Sequence, residues 1–243
     1  MEIISKAMMD KGFDISGFTG PDLFIRLTAG AVKLVDAMLP HCRERRRAIQ
    51  AGGCLGVVPA YMALHFESVV TFEPSEDNFR HMCSNISDGR VEKIHAALGN
   101  VQGWVDISAP RKMKPDGEII DISSWKVVDG WKPKPAAVVS ERPMPMMRLD
   151  DLLLGPVDAL MLDVEGYELP ALMGARELLA RDHPVVAVEV NGVAEKYFGR
   201  TASETGVFLE SLGYEMVEDM IDNRIYAFPS PVVLLSAHAR GAL

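Results

Sequence analysis

The sequence predicts an α/β protein built on a doubly wound, mostly parallel sheet with helices on both faces. Three observations lead there. Apolar, strand-like runs alternate with helix-compatible segments along most of the chain. A glycine-rich turn, Ala51-Gly52-Gly53-Cys54-Leu55-Gly56, separates the first strand-like run from the helix that follows it. Two further runs, 157–164 and 185–190, are apolar almost throughout, as strands covered on both faces are. A chain of 243 residues fits one large domain or two small ones, and no repeat or linker divides this one.

Residues 1–44 read as a mainly helical segment packed on the core. Leu23, Leu27, Ala31, Leu34, Val35 and Met38 fall near one face, Pro21 suits a first turn, and Pro40 marks the stop. The core domain then spans 45–229. Its first strand covers about 46–50 and its first helix about 56–66. Val69-Val70-Thr71-Phe72 is β-branched and aromatic, which suits a strand over 68–73 ending at Glu73-Pro74. Ser75 is a good N-cap for a helix running to about residue 86, with Asn78 three residues on. A third strand covers 91–98, and a further one 104–107.

Residues 109–145 break the rhythm. Proline, lysine and short polar runs dominate, with Trp125 and Trp131 embedded. A stretch this long and irregular reads as an insertion beside the active site, with one hairpin around 119–128. The regular pattern resumes with a short helix at 147–152, the strand 157–164, a helix over 168–180 and the strand 185–190. A helix over 203–212 ends at Gly213. Segments 214–217 and 224–228 close the sheet as an antiparallel hairpin, and 230–243 is a tail without clear pattern.

Composition excludes several classes. Apolar content of 48% and charged content of 24% are those of an ordinary globular protein, so the core needs no staple. Cys42, Cys54 and Cys83 are unpatterned, which argues against a disulfide framework or a zinc site. The first residues lack the apolar core of a signal peptide, and no run is long enough to span a membrane, so a cytoplasmic location is expected. A net charge of −9 argues against binding a nucleic-acid backbone. The basic run at 43–47 reads as a solvated lead into the first strand. Oligomeric state, including a homo-oligomer, stays open.

The candidate chemistry lies at the strand tips. Gly52, Gly53 and Gly56 let the backbone turn tightly and approach a ligand closely, and a helix N-terminus follows them. Glu73 lies about 20 residues further on, at the next strand tip, where a carboxylate can accept hydrogen bonds from ribose hydroxyls. Together these form a nucleoside-cofactor half-site. The spacing GGxxG differs from that of dinucleotide binders, and the glycines alone would also fit a turn with no ligand. The second constellation is Asp163-Val164-Glu165-Gly166-Tyr167-Glu168. If the strand runs on to Glu165, a period of two puts Asp163 and Glu165 on the same side. The pair could share a proton, bind a substrate hydroxyl or hold a divalent ion. Alternatively, Glu165 caps the next helix and Asp163 is a satisfied strand-end polar group. No His lies close in sequence and hard oxygen sites usually want several ligands, so the metal-free reading is preferred. His95 reads as core or cofactor-flanking.

At this point the pieces resemble a family, the FkbM-type S-adenosylmethionine-dependent methyltransferases. The matching motifs are AIQAGGCLGVVP (48–59), VVTFEPSEDNF (69–79), IHAALGN (94–100), MRLDDL with VDALMLDVEGYELPALMGARELL (147–179) and PVVAVEVN (184–191). They cover about residues 45–191, and NRIYAFP (223–229) looks like the family's closing strand. The resemblance implies a Rossmann-like class I methyltransferase sheet with a C-terminal antiparallel hairpin, and S-adenosyl-L-methionine as cofactor. It implies that Ala51, Gly52, Gly53 and Gly56 hold the methionine part. Glu73 would hold the ribose, Ala96, Ala97 and Leu98 would flank the adenine, and Asp163 would lie near the amino-acid end or the methyl. The family methylates hydroxyl oxygens on small molecules and sugars, so a small-molecule or sugar acceptor is expected, with Asp163 and Glu165 as the catalytic pair. Gln50 stands where the family usually has Asp, a carboxylate that would orient the cofactor's ammonium, so Gln50→Asp would be expected to bind cofactor at least as tightly. The stretch 109–145 matches no family motif. A non-catalytic binding module, favoured by Gln50, and a nicotinamide-dependent oxidoreductase, disfavoured by GGxxG, are the alternatives.

Overall fold

The computed structural model describes residues 12–14, 21–109, 111–114, 117–120, 124–130, 138–139 and 142–229. Expectations for most of the first 20 residues, for Trp131 and for the tail 230–243 lie outside them. Seven strands form the main sheet: β1 (Arg47–Ala51), β2 (Ser68–Phe72), β3 (Val91–Ile94), β4 (Ala159–Leu162), β5 (Val185–Glu189), β6 (Glu215–Asp219) and β7 (Asn223–Ala227). Their spatial order is β6-β7-β5-β4-β1-β2-β3. All neighbours are parallel except β7, which runs against both β5 and β6. Strand β1 pairs with β2 on one side and β4 on the other, so the winding reverses there. A crevice opens at such a reversal, beyond the carboxyl ends of the strands.

The two faces of the sheet follow from strand alternation. Ile49, Ala51, Val70, Phe72, Leu160 and Leu162 turn to one face. Helices α4 (Glu168–Met173), α5 (Arg176–Asp182) and α7 (Ala202–Ser211) cover it with Ala171, Leu172, Leu178, Leu179 and Leu209. Ala48, Val69, Ala159, Met161 and Ala187 turn to the other face. Helices α1 (Pro21–Met38), α2 (Val57–Met62) and α3 (Glu76–Asn85) cover that side. The alanines Ala48 and Ala159 are direct register partners, and small side chains there leave room for α1 across the sheet. Among the described residues, no helix is long and apolar enough to cross a membrane. The three cysteines are free. In the basic run, Arg46 pairs with Asp158 and Arg43 donates to the carbonyls of Phe228 and Pro229.

Several elements differ from the sequence expectation, each for a local reason. The helix expected over 168–180 is two helices. A Cβ at Gly174 would collide with the carbonyl of Gly99, so the chain breaks where the 99–100 turn presses on it. Asp150 then caps α5 by accepting from the N–H groups of Glu177 and Leu178 at 3.1 and 2.9 Å. The strand expected over 91–98 also splits. Val91–Ile94 stays in the main sheet, while Ala97–Leu98 pairs in parallel with Met146 and Met147. Helix α2 is shorter than expected, and tight turns carry the chain on to Phe66. Helix α6 (Val193–Phe198) was not expected at all. It is bracketed by Gly192 and Gly199, whose φ values are 77° and 63°.

The stretch 109–145 contributes short strands. Its hairpin is Arg111–Lys114 with Gly117–Ile120, earlier than expected. Val138–Val139 and Lys126–Val127 flank Ile107–Ala109 as a three-stranded sheet. Val127 joins Ala97, Ile107, Met144, Met146 and Tyr167 in a small core of its own, so part of this stretch is packing rather than appendage.

Candidate active site

The carboxyl ends of β1, β2, β4 and β5 open into one cavity of about 350 Å³, within the size range of small-ligand sites. Its floor is the glycine turn. Gly52 has φ +87°, and a Cβ there would run into the carbonyl of Asp163, so β1 and β4 can approach only with glycine at this position. The N–H groups of Gly52 and Gly53 both donate to the Phe72 carbonyl, at 3.0 and 2.9 Å, which ties the turn to the tip of β2. Gly56 lies behind the cavity wall, where a Cβ would press on Ile86, so it shapes the turn without lining the space.

Glu73 faces the same cavity from the tip of β2. It is 3% exposed. The N–H of Cys54 donates to its Oε2 and the N–H of Ser75 to its Oε1, both at 2.7 Å. Burial pushes its pKa up to about 7, partly opposed by those two amides and by Asn78. Three donors already occupy most of the roughly four acceptor sites of the carboxylate, which leaves a remaining lone pair for a ligand hydroxyl on an acid already fixed in place. Ala96, Ala97 and Leu98 supply an apolar wall next to it. His95, just before them, stacks on Phe79 at 4.6 Å and is not among the lining residues.

Gln50 stands apart from the other sequence candidates. It is fully buried on the α1–α3 side of the sheet and does not line the cavity. Its amide nitrogen donates to the Gly52 carbonyl at 2.9 Å, and its Oε1 accepts from the Thr71 hydroxyl at 2.5 Å. Its geometry is that of a brace under the glycine turn.

Opposite Glu73, the chain after β4 brings together acids that the sequence holds apart. The strand stops at Leu162, so alternation along a strand does not align Asp163 with Glu165. A turn does it instead, with Glu165 at φ 55° and Gly166 at φ 95°. Glu168, not Glu165, caps this turn: it accepts from the N–H groups of Val164 and Gly166 at 3.0 and 3.2 Å. Glu168 is itself buried, which raises its pKa to about 7. Helix α6 braces the far side. A Cβ at Gly166 would meet the backbone of Ala194, and the Phe198 ring sits edge-on to Tyr167 at 5.4 Å. Tyr167 in turn donates to Asp129 at 3.1 Å.

The third acid is Glu189, at the end of β5. Leu162 and Val188 are register partners, so Asp163 and Glu189 emerge side by side. Oxygens of Asp163, Glu165 and Glu189 lie within 4.8 Å of one another. Burial first, then the neighbouring acids, push Glu189 up to about 11. Burial raises Asp163 as well, opposed by hydrogen bonding with Glu189 and by the charge of Lys126. The two carboxyls therefore keep a proton between them at neutral pH. Lys126, from the 109–145 stretch, pairs with Glu165 at 2.9 Å. Neither Glu189 nor Lys126 was singled out from sequence. The ELPALM helix start and the EVN strand end were visible there, but nothing local joined Glu189 to Asp163.

The residues present suit a nucleoside cofactor carrying a positive charge. The glycine turn leaves a side-chain-free floor, Glu73 offers acceptors at the right strand tip, and the far wall is acidic. Comparison with known proteins agrees. The model of the methyltransferase FkbM domain matches residues 54–216. No curated protein sequence matches the chain. Among solved structures, the methyltransferase FkbM of Methylobacillus flagellatus superposes with a TM-score of 0.50 at 15% identity, over 76% of this chain and 44% of that one. The chain thus spans under half the length of that relative. The N-methyltransferase NodS of Bradyrhizobium japonicum aligns at 9% identity with a TM-score of 0.48, over 83% of this chain and 96% of that one. The sheet order, the reversal beside β1 and the antiparallel β7 are those of a Rossmann-like class I methyltransferase fold. The chain belongs to the FkbM methyltransferase family, whose cofactor is S-adenosylmethionine.

Proposed function

We propose that the protein methylates a hydroxyl oxygen of a small molecule or sugar. The observation that carries this reading is the acidic wall facing Glu73 across the cavity: Asp163, Glu165 and Glu189 within 4.8 Å of one another. S-adenosylmethionine, when bound, supplies a methyl group already activated by its sulfonium. The protein must bind the cofactor, align the acceptor and accept a proton from it. Ala51, Gly52 and Gly53 form the floor for the methionine part, with Gly56 and Gln50 holding that floor from behind. Glu73 receives the ribose, and Ala96 and Ala97 flank the base. A hydroxyl acceptor has a pKa far above 7, so a carboxylate beside it assists as its oxygen forms the new bond. Glu165, held by Lys126 at the cavity wall, takes that proton. Asp163, sharing a proton with Glu189, orients the acceptor hydroxyl.

The test is methyl transfer to a panel of hydroxylated sugars and small molecules, read by mass spectrometry. Asp163→Asn and Glu165→Gln should both fold and bind S-adenosylhomocysteine much as the parent does. At least one should slow transfer by ~10²-fold or more, the range of lost general-base catalysis. Full activity in both variants would remove the pair from the mechanism. Methylation of amines but not hydroxyls would overturn the oxygen assignment.

A further inference from the structure

Three carboxyls that converge inside a protein need a cation or shared protons, because like charges this close cannot all ionise unaided. Asp163 and Glu189 emerge side by side from β4 and β5, where burial favours the protonated form. Glu165 is matched differently, by a side chain from elsewhere in the chain. Lys126 lies on the short strand Lys126–Val127, where it pairs with Ser108 of the strand Ile107–Ala109. That pairing fixes its backbone, and burial fixes its side chain: Lys126 is 7% exposed and Glu165 17%. The ammonium has three donors. It meets Glu165 Oε2 at 2.9 Å and the Ser124 carbonyl at 3.1 Å. It also stands 5.5 Å above the Tyr197 ring. Trp125 and Val127, its two chain neighbours, line the same cavity.

A lysine reaching this far into an acidic pocket is not a solvated surface charge. Three carboxylate oxygens within 4.8 Å are also a partial oxygen shell for a hard divalent ion. Lys126 puts a positive charge against that shell from within the chain. We infer that Lys126 is the positioning residue of the acidic cluster: it holds Glu165 at the cavity wall and takes the place that a divalent cation would otherwise occupy. The inference builds on the proposed function, since Glu165 is the proton acceptor there. It extends it by assigning a role in the site to the stretch that carries none of the family motifs. It also implies that the methyl-transfer site works without a divalent metal while Lys126 is present.

Removal of the lysine should convert the cluster into a metal site. Mn²⁺ binding would be measured by electron paramagnetic resonance on the parent, Lys126→Met, Lys126→Arg and the double variant Lys126→Met with Glu165→Gln. S-adenosylhomocysteine titrations and melting curves would run in parallel. Lys126→Met should bind Mn²⁺ about tenfold or more tightly than the parent, because a competing buried cation is gone and its carboxylate is unmatched. Lys126→Arg should bind it as weakly as the parent, and the double variant should lose the gain. A purely structural lysine would lower the melting temperature without any gain in metal affinity, and that result overturns the inference. So does a parent that already binds Mn²⁺ as tightly as Lys126→Met. If Lys126→Met does not fold, the parent decides alone: tight Mn²⁺ binding that Glu165→Gln abolishes would refute the assignment, and its absence would support it. The S-adenosylhomocysteine titration reports separately on the functional reading. A parent that fails to bind S-adenosylhomocysteine sinks the methyl-transfer proposal whatever the metal data show.

Discussion

Gly52 and Glu165 line the same cavity, and different forces hold them there. On the cofactor wall the backbone sets the geometry. Gly52 and Gly53 donate to the Phe72 carbonyl, Cys54 and Ser75 donate to Glu73, and no Cβ fits at Gly52. On the proposed acceptor wall, side-chain charges act on a left-handed backbone turn. Glu165 depends on Lys126, Asp163 on Glu189, and Tyr167 on Asp129. The first wall tolerates little change in shape, and the second little change in charge.

Substitutions at three positions would break or sharpen this contrast. Gly52→Ala should have the largest effect, because the new methyl group meets a backbone carbonyl at a φ that only glycine adopts freely. A loss of roughly 3 kcal/mol or more in unfolding free energy is expected, read from denaturant midpoints. An unchanged midpoint would mean that β1 and β4 can separate without penalty. Glu73→Ala comes next. It should weaken binding of S-adenosylhomocysteine by roughly 1.5–3 kcal/mol in a calorimetric titration, because hydrogen bonds to a charged group are lost. Glu73→Gln, which keeps the shape, should lose less. Parent-like affinity in Glu73→Ala would remove this residue from the ribose site.

The smallest effect should come from Gln50→Asp. The family's usual residue would suggest tighter cofactor binding. The geometry favours another outcome, because the Gln50 amide donates to the Gly52 carbonyl and an aspartate would set a second acceptor there. A loss of about 1–2 kcal/mol in stability is expected, from a buried acceptor left without its donor. A variant as stable as the parent, with tighter cofactor binding, would show that residue 50 can turn into the cavity after all.

The contrast between the walls also explains what could be read from the sequence. The cofactor wall is local. Its glycines, the strand that follows and Glu73 lie within one strand–helix–strand unit, so spacing alone places them. Asp163 and Glu165 were legible as a pair because they are two apart, although a left-handed turn and not an extended strand makes them converge. Glu189 was not, because only the parallel register of β4 and β5 sets it beside Asp163. Lys126 was hidden further still. Its burial depends on a two-residue strand pairing with Ile107–Ala109, and no periodicity marks so short an element. Gln50 was placed in the cavity by family position, but it lies on the strand face that turns toward α1–α3. Helix α6, short and set between two glycines, carries too little pattern to be foreseen, yet it backs the turn that aims Glu165.

The strands Gly103–Val105 and Met144–Met147 run antiparallel, with Val105 opposite Met144. The chain therefore leaves and returns at adjacent points, roughly 5 Å apart as cross-strand partners are. Everything between is a closed excursion clasped at its neck. Lengthening such an excursion changes loop-closure entropy only slowly, so added length there costs the sheet beneath little. For an engineer, the neck is the natural cut site, but a segment transplanted between Val105 and Met144 must also supply the packing that Ile107 and Val127 give to Ala97, Met146 and Tyr167.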